Sequence, residues 1–236
     1  MCARRSPVPH GSCRLAGPLS GRLSDSVVPA WARYCGALRT GGALYNMAQA
    51  KTLTQSDLDR LLSNIAQHDF AARNRAMVLM TFWAGLRVGE LSLLRYGDIF
   101  GPDGRALSEL RLDASITKGR HARTVFLPAK LKAEMDAYAH THPSQRADDA
   151  LFFTRKNPAR GFTPNTCAQH FLSLYKRAGI SNASSHSGRR TFITTLANKG
   201  VSVRVLASLA GHRSIATTQR YIDVNDEMKR RAVEML

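Results

Sequence analysis

Apolar residues recur at helical spacing in the first regular part of the chain, directly after Thr54 and Asp57. These two residues have the spacing of a capping box, in which each side chain accepts a hydrogen bond from the other residue's backbone N–H at the start of a helix. The apolar positions that follow are Leu58, Leu61, Leu62 and Ile65. We therefore expect a helix here, a second over residues 71–83 that ends at Ala84 and Gly85, and a short third over residues 88–94.

The pattern then changes to alternation of apolar and polar residues over residues 110–116 and, less regularly, over residues 123–127. A period of two is typical of half-buried strands. Lys118, Gly119 and Arg120 stand between the two segments and suit a turn, so the sequence predicts a β-hairpin with a basic tip. Residues 128–140 return to a helical pattern, and residues 151–153 are a candidate for a short strand.

Helical signals dominate the C-terminal third of the chain. Thr163 followed by Pro164 is a preferred pairing at the start of a helix. Further helices are predicted over residues 187–199, where Gly200 ends the pattern, and over residues 203–210, and the last helix is expected to include Tyr221 or to begin near it. The predicted fold class is α+β, mainly α-helical with one small antiparallel β-sheet.

The length of 236 residues and the shift in composition along the chain predict one domain with an appendage. Residues 1–46 contain 15 Pro, Gly and Ser, six Arg and one acidic residue, without apolar periodicity. We interpret them as a disordered or irregular basic leader, and residues 47–236 as the globular domain. Two alternatives stay open: an organellar transit peptide, whose composition is similar but whose amphipathic helix is not evident, and a true translation start at Met47.

Charge and cysteine content narrow the function classes. The chain has 34 Lys and Arg against 17 Asp and Glu, a net charge of +17, and residues 47–236 alone keep +12. Such a surplus favours a polyanionic partner, nucleic acid ahead of an anionic membrane, and no apolar run is long enough for a membrane-spanning helix. Cys167 is the one cysteine of the globular domain, so we expect a reduced, cytoplasmic domain in which Cys167 is buried.

Six residues have the side chains that metal-free phosphoryl transfer requires: Arg87, Lys118, His186, Arg189, His212 and Tyr221. Singly, each has an ordinary structural explanation, such as pairing of Arg87 with Glu90 on one helix face. Together, two guanidinium groups can hold the non-bridging oxygens of a phosphodiester. A tyrosine hydroxyl can attack the phosphorus, and a lysine or histidine can protonate the departing 5′-oxygen. No metal ion or other cofactor is needed, and no acidic cluster suggests a two-metal nuclease.

At these residues the chain resembles the tyrosine recombinases, or phage-type integrases, over about residues 52–231. The resemblance is carried by AGLRVGEL at residues 84–91, TKG at 117–119, HSGR at 186–189, LAGH at 209–212 and TTQRY at 217–221. It implies that family's catalytic-domain fold for residues 47–236. It also implies a site-specific recombinase that breaks and rejoins double-stranded DNA in integration, excision or inversion, with Tyr221 forming a 3′-phosphotyrosyl intermediate.

The resemblance also implies the other roles. Arg87 and Arg189 hold the non-bridging oxygens, Lys118 is the general acid toward the 5′-oxygen, His186 assists proton transfer and His212 hydrogen-bonds the phosphate. The expected partners are double-stranded DNA and further copies of the chain, as a tetramer on DNA, with an accessory protein plausible and no membrane. The expected location is the cytoplasm, in a bacterial or phage-encoded system.

The sequence departs from the family pattern in three places. Gly188 stands where an apolar residue is usual, and Arg190 where histidine is frequent. We expect Gly188 to weaken local helix packing and Arg190 to add charge beside the site. Residues 1–46 are too short and irregular for the additional DNA-clamping domain of most members, which suggests the short members that consist of the catalytic domain alone. A basic triplet at residues 229–231 either docks on a neighbouring protomer or is a solvated helix end.

Two other functions stay open at this point. A type IB topoisomerase-like enzyme would use the same tyrosine chemistry to relax supercoils, although the short chain and the spacing of its motifs argue against it. A non-catalytic DNA-binding regulator would use residues 187–210 as a helix-turn-helix pair with Gly200 near the turn. That alternative explains the charge but leaves Arg87, Lys118, His212 and Tyr221 without a common purpose.

Overall fold

The computed structural model describes residues 50–117, 121–143, 145–156, 160–222 and 226–234. These ranges form ten helices and two strands, in the order α1 (Gln55–Ala66), α2 (Ala71–Trp83), α3 (Val88–Leu91), α4 (Tyr96–Ile99), β1 (Glu109–Leu112), β2 (Arg123–Phe126), α5 (Ala129–Ala139), α6 (Pro164–Arg177), α7 (Ser187–Asn198), α8 (Val203–Ala210), α9 (Ile215–Gln219) and α10 (Asp226–Val233). The α+β, mainly helical fold is confirmed. The predicted leader, residues 1–46, lies outside the described residues.

Helix α2 forms the centre of the hydrophobic core. Residues 76–80 are each at most 1% exposed, and the helix packs against α1, α5 and α7. A helix that is apolar on several faces is stable only when several neighbours cover it. Because α2 is held on these faces, the turn at its C-terminal end, which leads into α3, is held as well.

Helix α1 begins as the sequence predicts. The Asp57 backbone N–H donates to Thr54 Oγ1 at 3.1 Å, and the Thr54 backbone N–H donates to Asp57 Oδ2 at 3.1 Å. Leu58, Leu61 and Ile65 are buried on one face. The capping box therefore sets the start of the helix, and the apolar spacing sets the face that packs on α2.

The predicted hairpin is present as a two-stranded antiparallel sheet. Leu110 pairs with Val125 and Leu112 with Arg123. Leu110, Leu112 and Val125 are buried while Glu109 and Phe126 are exposed, as expected when successive side chains alternate between faces. The tip, residues 118–120, lies outside the described residues, so the placement of Lys118 stays a prediction.

Three predicted elements need correction. The third helix ends at Leu91, because the chain turns away to pair with residues 149–151, where the Leu151 N–H donates to the Leu94 carbonyl at 2.9 Å. Residues 151–153 form an isolated bridge between Phe153 and Gly161 instead of a strand. Tyr221 lies in a turn between α9 and α10, because its carbonyl accepts from Thr194 Oγ1 of α7 at 3.2 Å and does not continue a helix.

Candidate active site

Gly188 brings the N-terminal end of α7 against α2. A Cβ added at Gly188 would lie 2.1 Å from Thr81 Oγ1 and 2.9 Å from Thr81 Cβ. The expectation that Gly188 weakens packing was wrong, because the missing side chain is what allows α7 to approach α2 this closely. The next residue, Arg189, is thereby held directly beside the turn that follows α2.

The Arg189 guanidinium is buried, 4% exposed, and its orientation is fixed by backbone carbonyls. Nη1 donates to the Gly85 carbonyl at 2.6 Å, and Nη2 donates to the Ala210 carbonyl. The Ala210 carbonyl is at the C-terminal end of α8, where oxygens lack intrahelical partners and the helix dipole is negative, and the Gly85 carbonyl lies in the turn that follows α2. Burial, together with Arg87 and Arg123, lowers the pKa of Arg189 to about 9. The group therefore remains a cation at neutral pH, held in place by backbone carbonyls.

Arg87 is positioned by Glu90. It is the N-cap residue of α3, and its Nη1 donates to Glu90 Oε1 at 2.6 Å while its backbone N–H donates to Glu90 Oε2 at 2.9 Å. Arg87 Nη2 also donates to the Gly211 carbonyl at 3.2 Å. This carbonyl is close in sequence to the Ala210 oxygen that holds Arg189. Both arginines are therefore anchored on the same turn at the end of α8.

Arg123 is a second partner of Glu90 that sequence reasoning did not single out. Its Nη2 donates to Glu90 Oε2 at 2.6 Å, and its Nη1 donates to the Leu209 carbonyl at 3.0 Å. Glu90 is 2% exposed. Burial tends to raise the pKa of Glu90, but Arg123 and Arg87 outweigh it and the pKa lies below its ordinary value. The available signal was an arginine on the same face of β2 as the buried Val125, since a charge there requires a partner.

Gly211 packs directly against the Arg123 side chain. Its φ is +62°, and an added Cβ would lie 2.4 Å from Arg123 Cδ. The left-handed conformation ends α8 at Gly211, which is a common form of helix ending. Glycine is thus required here twice, by conformation and by space, and it places His212 next to Arg189.

His212 lies between Arg189 and Tyr221. Arg189 Nη2 lies 3.1 Å from His212 Nε2, and His212 Nδ1 lies 2.8 Å from Thr218 Oγ1. Because a guanidinium has no acceptor, Nε2 accepts and the proton of the neutral ring is on Nδ1. Burial and the nearby Arg189 lower the pKa of His212 to about 4. The imidazole is therefore neutral at physiological pH.

The Tyr221 ring stacks on the His212 ring, with centroids 5.8 Å apart and planes at 19°. The Arg190 guanidinium lies 5.4 Å from the centroid of the Tyr221 ring. Arg190 Nε donates to Thr52 Oγ1 at 3.0 Å. The charge that we expected beside the site is thus present, and it contacts the aromatic face of Tyr221.

His186 is exposed and lines a cleft beside these residues. It is the N-cap residue of α7, and its Nδ1 lies 3.1 Å from Ser185 Oγ. The cleft has a volume of about 370 Å³, and His186 lines it together with Arg87, Glu90 and Arg189. Thr117, the residue before Lys118, also lines it. The structure thus brings Arg189, His212 and Tyr221 together in a chain of contacts, holds Arg87 on the neighbouring Gly211 carbonyl and places His186 on the adjoining cleft.

Two further observations concern other kinds of site. Cys167 is fully buried, as predicted, and burial raises the pKa of its thiol to about 12. Within the described ranges there is no group of three or more His, Cys, Asp or Glu side chains that could hold a metal ion. Among the helices of those ranges, none combines the length and the hydropathy that crossing a bilayer requires.

Comparison with known proteins identifies the family. The model of the phage integrase family matches residues 51–228. The chain belongs to the phage integrase family. Curated relatives include the tyrosine recombinase XerA of Pyrococcus furiosus, 29% identical over 187 residues, and that of Thermococcus kodakarensis, 32% identical over 185 residues. Each match covers 78% of this chain, which spans 61% and 62% of the length of those two relatives.

Solved structures of the family have the same fold. A crystal structure of XerA recombinase is 26% identical with a TM-score of 0.63, and the match covers 80% of this chain and 66% of that one. The Tn1549 transposon integrase, in complex with a circular intermediate DNA, is 18% identical with a TM-score of 0.65, over 81% of this chain and 67% of that one. The resemblance to tyrosine recombinases and the catalytic-domain fold expected from the sequence are confirmed.

Proposed function

We propose that this member of the phage integrase family is a site-specific recombinase that cleaves and rejoins double-stranded DNA through a 3′-phosphotyrosyl intermediate at Tyr221. The observation that carries the proposal is the continuous set of contacts from Arg189 through His212 to the Tyr221 ring. A phosphate bound by Arg189 would lie beside His212 and within reach of the tyrosine. The DNA complex of the Tn1549 transposon integrase, which has the same fold, is consistent with this assignment.

The two arginines supply the electrostatic part of the mechanism. Arg87 and Arg189 are held on adjacent carbonyls, those of Gly211 and Ala210. A guanidinium has five N–H donors, so donors remain on each for the non-bridging oxygens of a phosphodiester. Because the groups are fixed before DNA binds, they need not reorganise as negative charge develops in the transition state.

His212 changes its hydrogen bonding when the phosphate arrives. In the free protein its Nε2 accepts from Arg189 and cannot donate. A phosphate oxygen that takes over the Arg189 N–H would free Nε2, and its negative charge would raise the low pKa of His212. The protonated ring then donates to the phosphate from Nε2 while Nδ1 stays bonded to Thr218. This is the phosphate-bonding role that the resemblance to tyrosine recombinases implies for His212.

The covalent step exchanges one phosphodiester for another. The Tyr221 oxygen bonds to phosphorus as its proton passes to solvent with the assistance of His186, the bond from phosphorus to the 5′-oxygen breaks, and Lys118 gives its proton to that oxygen. His186, on the wall of the cleft, assists the proton transfers. Attack by a 5′-hydroxyl reverses the step and releases Tyr221. The number of phosphoester bonds is unchanged, so no ATP is consumed.

We further propose that double-stranded DNA is the substrate and that four copies of the chain act together on two sites, with an accessory protein as a further partner. The net charge of +17 supports binding to a polyanion. The protein would act in the cytoplasm of a bacterial cell, associated with DNA. Integration, excision and inversion all use the same chemistry, and the DNA site selects among them.

Covalent trapping tests the proposal directly. Duplexes from the flanks of the protein's own gene are nicked so that cleavage releases a short fragment and blocks religation, and the reaction is run in chelator and resolved on a denaturing gel. We expect a protein–DNA adduct that is lost in Tyr221→Phe and retained in the matched variant Tyr96→Phe. An adduct that persists in Tyr221→Phe would refute the nucleophile. Salt-sensitive DNA binding without any adduct would favour the non-catalytic regulator.

A further inference from the structure

A second cavity, of about 430 Å³, lies between the N-terminal end of α2 and the C-terminal half of α6. Its lining includes three arginines, Arg73, Arg155 and Arg177, and two histidines, and Asp69 is the one carboxylate among the lining residues. None of its lining residues belongs to the active-site cleft. It is therefore a separate, cationic cavity.

Arg73 is the buried charge of this cavity. Its side chain donates through Nη1 to the Phe153 carbonyl at 2.8 Å and through Nη2 to Asn74 Oδ1 at 2.9 Å. The residue is 5% exposed, and among the described residues no carboxylate lies within salt-bridge distance of it. Buried arginines are rarely found without an anionic partner. The positive charge at the wall of the cavity is thus uncompensated.

The neighbouring groups that could ionise do not supply the missing negative charge. Tyr138 and Cys167 are close enough to Arg73 to interact with it electrostatically. Burial raises the pKa of both groups, that of Cys167 to about 12, so both are neutral at physiological pH. The Arg73 guanidinium also lies 4.5 Å from the centroid of the Phe70 ring, which contacts the cation without neutralising it.

The remaining lining residues add positive charge. Arg177 is exposed in the last turn of α6 and has no ion pair among the described residues. Arg155 pairs with Asp69 at 3.5 Å, but both side chains are largely exposed, so this pair is weak. Phe70, the N-cap residue of α2, has φ 59° and provides no side-chain cap, and strained non-glycine residues are concentrated at functional sites.

His170 reports the electrostatics of the cavity. Its Nε2 lies 2.9 Å from Asn74 Oδ1. Burial, together with the nearby charges of Arg73 and Arg177, lowers the pKa of His170 to about 4. The two arginines thus act on one point inside the cavity. An anion placed between them would act on His170 with the opposite sign.

We propose that this cavity binds a phosphate group through Arg73 and Arg177. Arginine is the side chain best suited to phosphate, since its planar N–H groups match two oxygens at once. The cavity volume of about 430 Å³ leaves room for a phosphate group that is part of a larger molecule. Two sources share this chemistry: the DNA backbone away from the cleavage point, or a small phosphorylated molecule. This phosphate site does not depend on the catalytic role of Tyr221 or of the active-site cleft.

The experiment follows the His170 imidazole by NMR in the full-length protein, with the signal assigned by its loss in His170→Gln. Inorganic phosphate is titrated against chloride at equal ionic strength. We expect phosphate to raise the pKa of His170 by on the order of one unit. Arg177→Gln should weaken phosphate binding about tenfold. Arg105→Gln, which removes another exposed charge outside the cavity, should leave the response unchanged.

Two results would overturn the proposal: a His170 pKa that does not respond to phosphate, or a response that is equal in Arg177→Gln and in the unaltered protein. A second arm adds a short DNA duplex and monitors its binding by anisotropy. Loss of the phosphate response on DNA binding identifies the backbone as the source. A full phosphate response with DNA bound identifies a small phosphorylated molecule. Because His170 lies outside the active-site cleft, phosphate binding at the catalytic arginines does not produce this signal.

Discussion

Replacing Glu90 by glutamine tests whether one buried carboxylate holds the active site together. The carboxylate bonds to Arg87 and to Arg123, each at 2.6 Å, and its side chain is 1% exposed. Glutamine keeps the volume and one acceptor oxygen but removes the charge and turns an N–H₂ group toward a guanidinium. The variant therefore leaves Arg123, whose side chain is 9% exposed, without its counter-charge.

The expected loss in the free energy of unfolding follows from the burial of Glu90. Removing one partner of a buried ion pair costs about 3–5 kcal/mol, and we expect the lower end, about 3 kcal/mol, because the amide oxygen still accepts one hydrogen bond. The pKa of Glu90 lies below its unfolded value. Its charge therefore contributes stability above the unfolded pKa, and this contribution is lost as pH falls through the folded-state pKa. Glu90→Gln should remove this part of the acid sensitivity.

Urea unfolding of Glu90→Gln and Glu134→Gln supplies a matched comparison. Glu134 pairs with Arg75 at 2.5 Å, but the two side chains are 24% and 42% exposed, so its loss should cost about 0.2–1 kcal/mol. DNA cleavage, measured on folded protein, should fall in Glu90→Gln alone, because Arg87 loses its anchor. Equal free energies of unfolding for the two variants would refute the argument that burial makes Glu90 structurally essential.

Three further predictions concern the same region. Gly211→Ala should destabilise the protein by about 2 kcal/mol more than Gly179→Ala, measured by urea unfolding. Both glycines have positive φ, but a Cβ added at Gly179 would meet nothing within 4 Å, so equal losses of stability would contradict the close approach of Gly211 to Arg123. Arg189→Lys should lower the cleavage rate of the folded protein at least about 100-fold, since an ammonium cannot bond two carbonyls and a phosphate in the same plane. Thermal unfolding should show a loss of stability of about 1–3 kcal/mol as well, because a buried carbonyl loses its donor, and an unchanged cleavage rate would contradict the assigned role. His212→Gln should flatten the fall in stability between about pH 6.5 and pH 4. The folded-state pKa of His212 is lowered to about 4, so as the pH falls the histidine of the unfolded chain is protonated before that of the folded protein. An unchanged pH profile of unfolding would contradict the low pKa.

Much of the secondary structure was predictable because its signals are local. Two such signals are the capping box of Thr54 and Asp57 and the Thr163–Pro164 pair, each contained in a single helical turn. Helices α1 and α6 begin where these residues predict. The limits of α3 and the turn at Tyr221 were not predictable, because each depends on a hydrogen bond to a distant segment. The Leu94 carbonyl bonds to Leu151, and the Tyr221 carbonyl bonds to Thr194.

The sequence by itself determined the family and most of the helices, and it indicated the residue types of the candidate site, since these depend on short segments with fixed spacing. Only the tertiary structure decided how that site is supported. Arg123 reaches a carbonyl 86 residues away, and Arg189 reaches one 104 residues away. The tertiary structure likewise decided the close approach of Gly188 to Thr81 and the burial of the Arg73 charge. Burial and partners across such distances depend on how the helices pack, and no local pattern of polar and apolar residues encodes them.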